Sequence, residues 1–275
     1  MNKIVLCLNK ITFSLATSLA EQEKNKNIKY FLLFDRARIA PNKAIKNVKY
    51  IPISKTSILC NIFNLLPLSN IEAYVPHDRI NKSLLHYINL LNNVNLIDDG
   101  MDTLRENPIN ISKNLTQKAR SLVTFSDYTK MGSWTSNIRK VRPENINSLF
   151  DKSQPCENLN NYDAVIIESL GVNSLPSKYK KVCIIRHPNP NKRIHLERQS
   201  NLKEIFAQDF SLEGSIIEYE GDIIMGETMI LPYLLHSKKI NFRHLYIQMS
   251  DTQYQNLKSL HHLIKRNNIS LDIKI

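Results

Sequence analysis

Short apolar runs recur along the chain, at Ile4–Leu8, Tyr30–Phe34, Ala73–Val75, Val94–Ile97, Ala164–Ile167, Val182–Ile185, Ser215–Ile217 and His244–Ile247. Each has the length of a strand and lacks clean alternation, the pattern of strands covered on both faces. Between them lie amphipathic stretches. Lys82–Leu91, Met229–Leu235 and Leu257–Ile264 place apolar residues at helical spacing. Strands alternating with helices predict an α/β fold with parallel sheets. The middle differs. From Met101 to about Asn161 polar residues, Pro108, Pro143 and Pro155 dominate; no strand is expected there, and helices are expected around Ile138 and Ile146. Asp151–Asn161 reads as a linker, after which YDAVIIESLG restarts the strand pattern. Two α/β lobes are therefore expected, residues 1–160 and 161–275.

The length of 275 residues fits two lobes, and 42% apolar content supplies their cores without disulfides or metals. The 37 basic residues against 25 acidic ones give a net charge of +12, which suggests an anionic partner: nucleic acid, a nucleotide or an anionic membrane surface. Lys and Arg are spread along the whole chain and no nucleic-acid-reading motif is present, so a basic nucleic-acid-binding protein is only the non-enzyme alternative. Cys7, Cys60, Cys156 and Cys183 are scattered, without the spacing of a zinc site, and read as reduced thiols of a cytoplasmic protein. The apolar start is broken by Asn9, Lys10 and Thr12, which reads as a first strand rather than a signal peptide. No run of 18 apolar residues exists to span a membrane.

Three segments at strand ends could carry chemistry. In VNLIDDGMDT, a buried strand ends in Asp98, Asp99 and Gly100. Carboxylates at that edge of a parallel sheet stand where open α/β folds bind ligands, and one could act as a general base; an ordinary Asp-Gly turn is the plainer account. In KVCIIRHPNPNKR, Pro188 holds His187 extended and aims its ring out of the strand, where it could stabilise or protonate a departing phosphate. A surface His before a Pro turn is the plainer account. In GDIIMGETMILPYLL, Gly226, Glu227 and Thr228 precede an apolar helical stretch, a helix start whose free N–H groups and hydroxyl suit a phosphate, or ordinary N-capping. Asp163 and Glu168 are read as marking strand ends, Trp134 as core, His261 and His262 as solvated. Neither GxxxxGK[ST] nor GxGxxG occurs, and no DxD motif of the metal-dependent sugar transferases is present.

Together the three segments resemble the motifs of the bacterial GT-B sialyltransferases, which include lipooligosaccharide sialyltransferases and capsular polysialyltransferases. That family carries a [D/E][D/E]G motif in its first domain, an HP motif in its second, and an SS or ST motif beyond it. Asp98-Asp99-Gly100, His187-Pro188 and Gly226-Glu227-Thr228 look like these in order. Glu213, in IFAQDFSLEGSII, stands where the family has an acidic residue for the nucleotide ribose. Glu227 departs from the family's first serine, which leaves Thr228 to supply the hydroxyl. The resemblance implies two Rossmann-like lobes with a cleft between them. It also implies an inverting transfer of sialic acid from CMP-Neu5Ac to a glycan or lipid-linked glycan, with no metal and no other cofactor. Asp99, or alternatively Asp98, would take the acceptor's proton. His187 with Pro188 would serve the departing CMP phosphate, Glu213 the ribose, and Gly226, Glu227 and Thr228 the phosphate. A related CMP-activated acid (Kdo, pseudaminic or legionaminic) is the alternative donor. Such an enzyme would work in the bacterial cytoplasm, with peripheral contact to the anionic inner membrane.

Overall fold

A computed structural model describes residues 1–24, 26–35, 39, 41, 44–55, 70–80, 82–99, 111–124, 137–140, 158–169, 172, 178–187, 202–206, 215–216, 218–226, 228, 241–250 and 270–274. The chain divides into two compact units, Met1–Leu149 and Phe150–Ile275, a boundary earlier than the one expected near residue 160. The 3-10 turn Leu159–Asn161 is tied to the second unit, because Asn160 Oδ1 accepts from Glu220 N–H and Asn160 Nδ2 donates to the Glu218 carbonyl.

In unit 1 the described elements are β1 (Asn2–Cys7), α1 (Lys10–Gln22), β2 (Lys29–Phe34), β3 (Val48–Pro52), β4 (Ile71–Val75), α2 (Lys82–Leu90), β5 (Asn93–Ile97), α3 (Lys113–Lys118), β6 (Ala119–Thr124) and β7 (Ile138–Lys140). The strands form one parallel sheet in the order β3-β2-β1-β4-β5-β6-β7. Unit 2 repeats the plan with β8 (Ala164–Ile167), β9 (Val182–Arg186), β10 (Leu202–Phe206), β11 (Asp222–Met225), β12 (His244–Ser250) and β13 (Ser270–Lys274). Their order is β10-β9-β8-β11-β12-β13, again parallel throughout. In both sheets the chain winds outward from its first strand, returns, and winds out the other way. The reversal lies between β1 and β4 in unit 1 and between β8 and β11 in unit 2. That reversal opens a crevice at the carboxyl ends of the strands, the usual ligand position of such sheets.

The unalternating apolar runs behave as their pattern predicts. Val5, Leu6, Ala73, Val94, Leu96, Ala164, Val165, Ile166, Cys183, Ile184, Ile223 and Ile224 are all fully buried. Helix α1 packs its Ile11, Leu15 and Leu19 stripe inward. Its N-terminus is closed by a reciprocal box: Asn9 Oδ1 accepts from Thr12 N–H at 2.9 Å, and Thr12 Oγ1 accepts from Asn9 N–H at 3.2 Å.

Several expectations change. Ser215 and Ile216 form a helical turn, not a strand, with Ile216 buried. The polar middle contains two strands, β6 and β7, and Ile138 belongs to β7 rather than to a helix. The reason is that polar residues of β6 are buried with partners. Ser121 Oγ donates to Asn95 Oδ1 at 2.7 Å, and Thr124 Oγ1 donates to Asp98 Oδ2 at 2.7 Å. The expected helices Met229–Leu235 and Leu257–Ile264, and Ile146, lie outside the described residues.

One face of the unit 1 sheet carries a buried charge network. Lys3, 2% exposed, binds Glu23 at 2.7 Å and Glu72 at 3.3 Å. Tyr30 donates to Glu23, and Tyr74 donates to Glu72 at 2.8 Å. Arg139 from β7 joins Glu23 at 2.9 Å and the Tyr74 hydroxyl at 2.7 Å. Burial alone would raise the Glu23 carboxyl; the hydrogen bonds from Lys3 and Tyr30 overcome it and hold the group down at about 2. Lys3, Tyr30 and Glu72 all stand in the first half of their strands, away from the carboxyl-end crevice.

Candidate functional site

The carboxyl edge of unit 1 gathers polar side chains from three neighbouring strands. Asn9 follows β1, His77 follows β4, and Asp98-Asp99 follow β5. The two aspartates are placed differently. Asp98 is 1% exposed, its N–H donates to the Val123 carbonyl at 2.9 Å, and its Oδ2 accepts from Thr124. Its carboxylate is turned into the sheet. Asp99 is half-buried: Asn9 Nδ2 donates to its Oδ1, and His77 Nε2 stands 3.7 Å from its Oδ2. A carboxylate so placed, partly open and beside an imidazole, can accept a proton or a hydroxyl hydrogen bond.

In unit 2 the corresponding edge is organised by the two residues that follow β8. Glu168 is buried. Its Oε1 accepts from Arg186 Nη1 at 2.8 Å, and its Oε2 accepts from His187 N–H at 2.6 Å. Arg186 Nη2 also donates to Glu204 Oε1 at 2.6 Å, and the pull of Glu204, then of Glu168, raises the guanidinium above its usual range. On the other side, Ser169 Oγ accepts from Gly226 N–H at 2.8 Å while donating to the Ile167 carbonyl at 2.9 Å. Glu168 thus fixes the end of β9, and Ser169 the end of β11. His187 follows β9 and Thr228 follows β11 at this edge, both half-buried.

Of the residues singled out from sequence, Asp98 and Asp99 meet in unit 1, and His187, Gly226 and Thr228 lie at the edge of unit 2. Gly100, Pro188, Glu213 and Glu227 lie outside the described residues. Gly226 is not a free helix-start donor: it is buried and its N–H is occupied by Ser169. Glu168, read as a strand-end marker, instead anchors the backbone of His187. Asn9 and His77 went unread as site residues. A signal for His77 existed, because Tyr74-Val75-Pro76-His77 is a strand running into a Pro-His pair, the mirror of the His187-Pro188 segment. Among the described residues no group of three or more His, Cys, Asp or Glu could hold a metal ion, and no helix is long and apolar enough to cross a membrane.

No protein-family model and no curated protein matches the sequence. Solved structures do match in shape. A Listeria monocytogenes protein assigned as a UDP-N-acetylglucosamine 2-epimerase superposes with a TM-score of 0.52 at 10% identity, over 98% of this chain and 89% of that one. UGT89C1 of Arabidopsis thaliana, complexed with UDP, gives 0.52 at 10% identity, over 99% and 86%. The fold is GT-B. A sialyltransferase from Photobacterium damsela superposes at only 0.47 with 10% identity, over 100% and 81%, too distant to add to the fold assignment. These likenesses concern architecture alone.

Proposed function

We propose that this GT-B chain is a glycosyltransferase: an inverting, metal-independent sialyltransferase that moves sialic acid from CMP-Neu5Ac to a sugar hydroxyl of a bacterial surface glycan. The observation that carries the reading is where the two best motif residues fall. Asp99 stands at the carboxyl edge beside the strand reversal of unit 1. His187 stands at the equivalent edge of unit 2, the two positions at which such sheets bind ligands. Asp99, partly open, takes the proton of the attacking hydroxyl; Asp98, buried against Thr124, supports the turn. His187 stabilises or protonates the departing CMP phosphate, helped by Pro188, which holds it extended, and by the Thr228 hydroxyl. Glu213 takes the ribose hydroxyls, and Glu227 belongs to the donor-binding set. The acceptor is a galactose-terminated lipopolysaccharide, lipooligosaccharide or capsule chain. The net charge of +12 suits both an anionic donor and peripheral contact with the anionic inner face of the bacterial membrane.

The test is a donor screen. Purified protein is incubated with EDTA, galactose-terminated acceptors and, in turn, CMP-Neu5Ac, CMP-Kdo, CMP-pseudaminic acid, CMP-legionaminic acid and UDP-sugars, and nucleotide release is followed. Turnover of CMP-Neu5Ac supports the reading. Turnover of a different CMP-acid alone moves it to the alternative donor, which Glu227 in place of a family serine favours. Turnover of only a UDP-sugar, or of none, overturns it.

A further inference from the structure

We infer that Asn9 is a positioning residue for Asp99, an assignment that rests on the reading of Asp99 as the proton acceptor. The side-chain amide of Asn9 has two ends with different tasks. Its Oδ1 accepts from Thr12 N–H at 2.9 Å and closes the start of α1. Its Nδ2 donates to Asp99 Oδ1. The first bond decides the second: with the oxygen fixed on a backbone donor, the amide nitrogen is the end that faces the carboxylate. Turning the amide over would break the cap and set two oxygens against each other.

The identity of the residue points the same way. Ser, Thr, Asp and Asn all make good N-caps. Asn alone among them caps with an oxygen while presenting an amide N–H on the far side. Asp at this place would cap equally well and would bring a second negative charge against Asp99. Serine would cap from a shorter side chain that withdraws from it. The cap of α1 suits any of the four; the contact with Asp99 is what singles out Asn.

Two effects follow for the carboxylate. A donated N–H favours its charged form, and the positive end of the α1 dipole acts in the same sense. The orientation is also fixed, with Oδ1 bound to Asn9 and Oδ2 facing His77 at 3.7 Å. Among the described groups facing Asp99, His77 from the loop after β4 supports the anion when protonated, and Asp98 from its own segment opposes it. The first turn of α1 carries no acidic residue to add to that opposition. Asn9 therefore holds the carboxylate in place and favours its charged form.

The test compares wild type with N9D and N9S, both of which keep a capping oxygen. Side-chain carboxyl titrations are followed by NMR in protein labelled at aspartate, with D99N used to identify the Asp99 signal, and melting temperatures serve as the fold control. N9D should raise the upper titration step of the carboxylate pair by about one unit or more, as like charges in contact do. N9S should raise the Asp99 step by a smaller amount through loss of the donor. Both should melt close to wild type. If the Asp99 titration is unchanged in both variants, Asn9 is a cap and nothing more. If the variants unfold, N9T and the titration of Asp99 in N9T settle the same question. On any substrate found in the donor screen, N9D should move the acid limb of the kcat profile upward in pH and leave KM nearly unchanged. Absence of turnover in wild type would remove the sialyltransferase reading, while the NMR arm would still decide the role of Asn9.

Discussion

The backbone N–H of His187 donates to Glu168 Oε2 at 2.6 Å, and the same carboxylate accepts from Arg186 at 2.8 Å through its other oxygen. One buried side chain just after β8 therefore sets the position of the residue that follows β9. Glu168→Ala removes both bonds, while Arg186 keeps its bond to Glu204. Because Arg186 stays paired, the cost is that of the lost buried hydrogen bonds, about 1.5–3 kcal/mol. Glu168→Gln keeps an oxygen for the His187 N–H and should cost less. Urea denaturation of the two variants checks the order; equal losses would mean that the ion pair, not the His187 bond, is what Glu168 contributes.

The two aspartates should separate in their effects. Asp99→Asn is isosteric and still accepts from Asn9. If Asp99 is the proposed general base, the change should lower kcat about 10²–10⁴-fold, with the melting temperature unchanged. Asp98→Ala removes the buried acceptor of Thr124 and should cost about 1.5–3 kcal/mol of stability. The measurement is CMP release beside a thermal melt for each variant. Lost activity with unchanged stability in Asp98→Ala, and the reverse in Asp99→Asn, would exchange the two roles.

The Lys3–Glu23 network should give the fold a defined acid sensitivity. The Glu23 carboxyl titrates at about 2 in the folded chain against 4.5 for the free group. Its charge therefore stabilises the fold fully above the unfolded value, and that contribution disappears as pH falls from about 5 toward 2. Glu23→Gln should be strongly destabilised at pH 7, and its deficit relative to wild type should shrink on acidification. Denaturation at pH 7, 5 and 3 tests this, and a deficit independent of pH would show that the loss is steric.

Gly221 marks a close approach. A Cβ built there meets the Tyr219 hydroxyl and ring, and stands 2.9 Å from the Asp163 carbonyl. That carbonyl also accepts from Asp222 N–H at 3.1 Å, so it cannot retreat freely. Gly221→Ala should cost about 1–3 kcal/mol as an overpacking change. Tyr219→Phe in the same chain removes the nearest atom and should recover part of it; no recovery would place the strain in the backbone instead.

Much of the frame is legible in the sequence because parallel strands leave an unambiguous mark. Leu6, Leu33, Ile166 and Ile184 sit in runs with no polar face, and all are buried. The pattern fails where burial is polar. Ser121 and Thr124 read as loop residues until Asn95 and Asp98 are seen to satisfy them. Helix α1 is diluted in the same way: Thr12, Ser14 and Ser18 are buried between its Ile11, Leu15 and Leu19 stripe, which hides the periodicity. At the site, Asp98-Asp99 and His187 are visible as chemistry-bearing residues at strand ends. Glu168 and Asn9 are not, since each acts on a residue far away in the chain, and only the sheet order brings those partners to one edge.

Lys3 and Glu72, which hold the buried network together with Glu23, lie in the amino halves of β1 and β4, while Asn9, His77 and Asp99 lie at the carboxyl ends. The structural anchor and the candidate site groups of unit 1 thus share a sheet without sharing side chains. Loops at the carboxyl edge can be exchanged, lengthened or grafted from other chains of this architecture while the anchor is left untouched. A library confined to those loops, screened on a panel of glycan acceptors, can search for new substrate preferences on a scaffold that does not lose its footing with each change.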